Sequence, residues 1–118
     1  MIFAAATDER SLQVFPTEAE AVAYCEGLDV EAAEWLFWDD TGAPLEPVFH
    51  VPNKRGLFFV GNGKYSLQLA SADHHAHLVE AVDEIITFES EAPFDTKAGV
   101  LAYLSRTAGG REVPAGAT

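Results

Sequence analysis

Between residues 33 and 70, short apolar runs alternate with turn sequences, and that punctuation leaves the chain few ways to fold. AEWLFW (33–38) is followed by DDTGAP, LEPVFHV (45–51) by PNKRG (52–56), and LFFV (57–60) by GNGK (61–64), before KYSLQLA (64–70). The runs are too short for stable helices and rich in aromatic and β-branched residues, whereas Asp, Asn, Gly and Pro mark the connections. The last run alternates, with Tyr65, Leu67 and Leu69 on one face and Ser66 and Gln68 on the other. The stretch therefore predicts an antiparallel meander of about four strands. Pro47 inside the second run predicts an edge position or a bulge, because proline cannot donate to a ladder. The Asn-Gly pair at 62–63 predicts a tight hairpin.

Helical signals flank this meander. Thr17 and Glu20 have the spacing of a capping box, so a helix begins after Pro16, with Ala19, Val22 and Ala23 on its apolar side and Gly27 as its stop. IFAAAT and LQVF (12–15) before it predict two further short strands. Ser71 or Asp73 is placed to cap a second helix over HHAHLVEAVDEII, with Leu78, Val82, Ile85 and Ile86 as its stripe. Asp95 or Thr96 caps a third over KAGVLAYLSR, where Val100, Leu101 and Leu104 form the apolar side. The expected fold is a single α+β domain over residues 1–107. It has an antiparallel sheet of about four to six strands packed against an N-terminal helix and two C-terminal helices. Residues 108–118 read as a flexible C-terminal tail.

A length of 118 residues suits one domain with a real core. Nineteen acids against seven bases give a net charge of −12, which argues against a nucleic-acid partner, since phosphate contacts need Lys and Arg. An acidic field attracts cations and basic proteins instead. The apolar runs fall far short of the ~20 residues a membrane span needs, and MIFAAA lacks the basic start of a signal peptide. The sole cysteine, Cys25, rules out an internal disulfide and suits a reducing cytosol, so a cytoplasmic protein is expected, with Cys25 packed as a small apolar residue.

Candidates for chemistry are few. His74 and His77, three apart on the second predicted helix, could converge on a metal with Asp73 as an oxygen ligand, but a further ligand is needed. That alternative is a small metal-binding module or metal-dependent enzyme. Asp39 with Asp40, or Glu31 with Glu34, could pair as acid and base only in a desolvated cleft. GNGK lacks the spacing of a phosphate loop, and Ser66 and Ser71 lack the context of a nucleophile. No catalytic residue and no cofactor is assigned. The aromatic residues Trp35, Phe37, Trp38, Phe49, Phe58 and Phe59 remain. Strand alternation sends them to both faces of the sheet, so either both faces are covered or one carries an exposed aromatic patch rimmed by acids.

The order Trp38-Asp39-x-x-Gly42-x-Pro44-Leu45-Glu46-Pro47-x-Phe49, then Pro52-Asn53-x-Arg55-Gly56, then Gly63-x-Tyr65-x-Leu67, resembles small acidic bacterial immunity proteins of polymorphic or contact-dependent toxin systems. The resemblance covers the central third to half of the chain and implies a cytosolic single-domain α+β inhibitor that protects its producer cell. It carries over no site residues, because immunity proteins meet their toxins through different surfaces. An acidic surface suits a basic toxin, such as a nuclease whose active site holds Lys and Arg. The expected docking residues are Asp39, Asp40 and Glu46 at the hairpin, and Glu31 and Glu34 near its base. Lys54 and Arg55 would add contacts of opposite sign, and Trp38 an aromatic anchor. The free protein is expected to be a monomer or weak dimer; a structural subunit pairing through a sheet edge is a further alternative.

Overall fold

The structure, a computed structural model, describes residues 1–57, 60–71 and 73–111, the last four of them by backbone alone. Strands β1 (Ile2–Ala6) and β2 (Ser11–Phe15) lead into helices α1 (Glu18–Tyr24) and α2 (Gly27–Glu31). Then follow β3 (Trp35–Trp38), β4 (Pro44–Val51), β5 (Lys54–Arg55), β6 (Val60–Gly61) and β7 (Lys64–Leu69). Helix α3 (Leu78–Ala81) runs into a 3-10 turn at Val82–Glu84, and β8 (Thr87–Phe88) precedes α4 (Lys97–Arg111). Six strands form one sheet in the order β7-β4-β3-β1-β2-β8, antiparallel throughout except for β2 beside β8.

The α+β expectation is met, and the sheet is covered on both faces. All five residues of β1 are buried, which requires cover above and below a strand whose side chains alternate. Ile2 and Ala4 pack with Phe37, Leu45 and Tyr65 under Ala21, Cys25 and Val30 of the α1–α2 segment. Phe3, Ala5, Leu12 and Trp38 pack on the other side against Leu78, Val82, Val100 and Leu104, from α3, the 3-10 turn and α4. Phe37, with Trp35 and Phe49 packed beside it, thus belongs to one core and Trp38 to the other. Fully burying side chains of the size of Phe3, Phe37 or Trp38 stabilises by about 1.5–3 kcal/mol each.

Pro47 explains where the central ladder ends. Phe37 pairs with Leu45 and Trp38 with Pro44, and there the β3–β4 ladder stops. Alternation makes Trp35 and Pro47 the next hydrogen-bonded pair, but Pro47 has no N–H to give. On its other side Pro47 sits opposite Leu67, whose N–H turns outward to the Glu18 carboxylate at 3.1 Å. That contact occupies a donor of the edge strand β7. β4 lies between β7 and β3, so Pro47 is not on an edge strand; it stands where the β3 ladder has ended, and the bulge falls further on, between Phe49 and Val51.

Several details differ from the sequence reading. Helix α1 is capped as expected, with Thr17 Oγ1 accepting the Glu20 N–H at 3.2 Å, but it stops at Cys25, and Gly27 opens α2 instead of ending α1. The buried side of α1 is Ala21, flanked by Val22 and Cys25, while Ala19 and Ala23 are exposed. The Asn-Gly pair does not join neighbours in one sheet: β6 pairs with β5 in a separate ribbon, and β7 pairs with β4. Of the predicted strand 57–60, Phe58 and Phe59 lie outside the described residues. The helix expected from residue 74 begins only at Leu78, because the segment before it is tied to the sheet. Trp38 Nε1–H donates to Ala76 O at 2.7 Å, and His75 Nε2 lies 3.0 Å from Phe37 O. Its stripe is shortened too, since Ile86 is exposed. Helix α4, with the Thr96 hydroxyl accepting the Gly99 N–H at 3.0 Å, continues to Arg111, past the expected domain boundary at 107. Residues 112–118 lie outside the described residues.

Candidate functional site

The hairpin acids are built into the turn first. Asp39 Oδ1 accepts from the Thr41 N–H at 2.8 Å, the Thr41 hydroxyl at 2.6 Å and the Ala43 N–H at 3.0 Å. Gly42 takes φ of +83° and its carbonyl accepts the Leu78 N–H at 2.9 Å, joining the turn to α3. One carboxylate oxygen of Asp39 therefore holds the loop, and Asp40 is half-buried beside it. Glu46 is half-buried, accepts from Gln68 at 3.1 Å and has an oxygen 3.9 Å from His74 Nε2.

Glu31 and Glu34 are elsewhere. Glu31 receives Asn53 Nδ2 and Arg55 Nη2, each at 3.1 Å, and these hydrogen bonds hold its carboxyl below the usual range. It belongs to the junction between α2 and the β5–β6 ribbon. Glu34 precedes β3 and Asp39 follows it, so they stand at opposite ends of the strand, about 16 Å apart at the usual rise. The expected docking residues thus span both ends of β3. Trp38 leaves the group altogether: it is 1% exposed and packed under α3 and α4. Its even position on β3, facing the second helical layer, is what buries it. Lys54 and Arg55 lie exposed on the ribbon, where Leu57 and Val60 are also exposed.

The histidine cluster does not assemble as a helical ligand pair. His74 and His75 sit in the segment before α3 with their Nδ1 atoms 2.7 Å apart, and His77 caps the helix. Among the described residues no group of three or more His, Cys, Asp or Glu side chains could hold a metal ion. His50 bonds Ser66 on the sheet surface. Cys25 is fully buried, and burial, helped by Asp29, pushes its thiol up to about 12, so it packs as an apolar residue. Its carbonyl accepts the Tyr65 hydroxyl at 2.6 Å.

Two recesses were not foreseen. One, of about 240 Å³, is walled by Ala5, Leu36, Trp38, Ala81 and Ile85, with Arg10 and Glu84 at its rim. The other, also about 240 Å³, is lined by Asp8, Glu9, Asp29 and Glu34 with Trp35. Ala6 is common to both. They are assembled by the β1–β3 pairing, which sets Ala5 opposite Leu36 and Ala6 opposite Trp35. Two small residues facing Leu and Trp were the available signal, but only the long-range pairing gives it meaning. Among the described residues no Asp or Glu is buried, and no helix is long and apolar enough to cross a membrane. Comparison with protein-family models, with curated proteins and with solved structures returns no match.

Proposed function

We propose that this chain is an immunity-type inhibitor that binds a basic toxin domain in the cytoplasm of the cell that makes both. The observation that carries the reading is the surface charge: a net −12 with every described carboxylate in contact with solvent. Such a surface speeds encounter with a Lys- and Arg-rich partner and repels nucleic acid. The resemblance in the turn and strand sequences from Trp38 to Leu67 points the same way. Several residues of that pattern have structural duties, as Asp39, Asn53 and Gly63 do, which suits a shared scaffold carrying variable contact surfaces.

Co-expression tests the proposal. The product of the adjacent gene should arrest growth when expressed alone and be tolerated when this chain is present, and the two proteins should copurify. Absence of protection and of a complex with adjacent gene products would overturn it.

A further inference from the structure

The apolar recess and the acidic recess open on opposite faces of the β1–β3 pair and meet at its end, where Ala6 lines both. This end of the sheet thus forms a composite surface whose chemistry specifies a partner more closely than net charge does. Ala5 is the reason the first recess exists. It lies on the core face of β1 between Leu12 and Leu36, and its methyl leaves the space between the sheet and Ala81 and Ile85 unfilled. The walls are apolar and the Trp38 ring forms one of them, so the recess suits one large apolar side chain. Its rim is held in place by the 7–10 turn. Arg10, at φ +52°, has its carbonyl accept both the Ile86 N–H at 2.8 Å and the Thr87 N–H at 3.2 Å.

Charge at this end of the sheet has one dominant sign. Arg10 contacts Glu84 at 3.4 Å, but these side chains are 56% and 75% exposed, so the pair is weak and can open. Across Ala6, Asp8, Glu9, Asp29 and Glu34 line the second recess. Glu84 and Arg10 thus stand at the rim of the apolar socket, and four further carboxylates stand round the end of the sheet from it.

We infer that this composite surface, at the Glu34 end of β3, is the docking site for the basic partner. The socket takes a large apolar side chain of that partner, and the acidic recess takes Lys or Arg next to it. The inference rests on the inhibitor reading above and moves the contact from the Asp39–Asp40 hairpin to the other end of the strand. A buried anchor within a charged ring is the usual distribution of binding energy at such interfaces.

The test measures affinity for the adjacent gene product with the full chain. Ala5→Leu fills the socket, with Ala5→Val as a milder filling; urea unfolding checks that both variants remain folded. Loss of a buried anchor should weaken binding about 30-fold or more for the leucine variant and less for the valine variant. Glu34→Lys should weaken it about 10-fold and chiefly slow association, whereas Glu91→Gln, remote from both recesses, should leave it unchanged. If wild type binds and folded Ala5→Leu and Glu34→Lys bind equally well, the docking site is wrong and the inhibitor reading stands. If wild type does not bind, both fall. If sedimentation shows the chain associating with itself and Ala5→Leu abolishes that, a second copy occupies the socket and the basic partner is overturned.

Discussion

His75 holds its place by being neutral. Its Nε2 lies 3.0 Å from the Phe37 carbonyl, which only accepts, so Nε2 carries the hydrogen and Nδ1 is left as an acceptor for His74 Nδ1–H at 2.7 Å. A second proton on the ring would set two N–H groups against each other. Burial beside Trp38, whose ring centroid is 5.2 Å away, lowers the pKa below its ordinary 6.5. The Phe37 carbonyl opposes that shift, and the charges of His74 and His77 add to it; Glu46 faces His74 on its far side. The unfolded chain takes up this proton near 6.5 and the folded chain only at lower pH. The contribution is therefore whole above about 6.5 and is lost as pH falls through the folded value. His75→Gln keeps an amide that can donate to Phe37 O but does not titrate. In urea unfolding, the stability advantage of wild type over this variant should shrink as pH falls from about 7 to about 5. A constant advantage would mean that the native ring is not held neutral.

At the scale of elements, the junction of the β5–β6 ribbon with α2 centres on Asn53, beside which Asn62 Oδ1 accepts the Leu28 N–H at 2.9 Å. Asn53 Nδ2 donates to Gly27 O at 3.0 Å and to Glu31 Oε1 at 3.1 Å, while its Oδ1 accepts the Gly63 N–H at 2.6 Å. Gly63 must be glycine there, because a Cβ would lie 2.0 Å from Val51 O. Asn53→Ala removes three hydrogen bonds and leaves the carbonyl of buried Gly27 and the N–H of half-buried Gly63 without them, a loss of about 2–3 kcal/mol in urea unfolding. Arg55→Ala removes only an exposed ion pair with Glu31 and should cost about 1 kcal/mol or less. Equal effects of the two substitutions would show that charge, not the amide, holds the ribbon. The same junction shows what was legible beforehand. The capping box at Thr17, the Asp-Gly-Pro turn and the alternation of β7 are local signals, and the elements they predict are present. The Asn-Gly turn misled because Asn53, ten residues away, fixes Gly63 against Val51. The helix from residue 74 failed for the same kind of reason: Trp38 and Phe37 claim the backbone and ring of Ala76 and His75.

At the scale of the whole molecule, the candidate site was less legible than the fold. Glu34 reads from the sequence as an acid near a strand, but Asp8, Glu9 and Ala5 come together with it only when β1 pairs with β3. Trp38, picked as a surface anchor, forms instead the floor of the socket beside them. Net charge was readable throughout, and it acts on folding and on binding with opposite signs. A charge of −12 on a compact chain repels itself, so raising salt should stabilise the folded state; it screens attraction to a basic partner at the same time. Between about 0.01 M and about 1 M salt the screening length falls from about 30 Å to about 3 Å. Over that range the urea midpoint should rise, while the association rate with the adjacent gene product falls by about 100-fold or more, towards the 10⁵–10⁶ M⁻¹s⁻¹ of unsteered pairs. Stopped-flow mixing and equilibrium unfolding in the same buffers measure both. An association rate indifferent to salt would show that the acids serve solubility and take no part in steering, even if the complex itself is real.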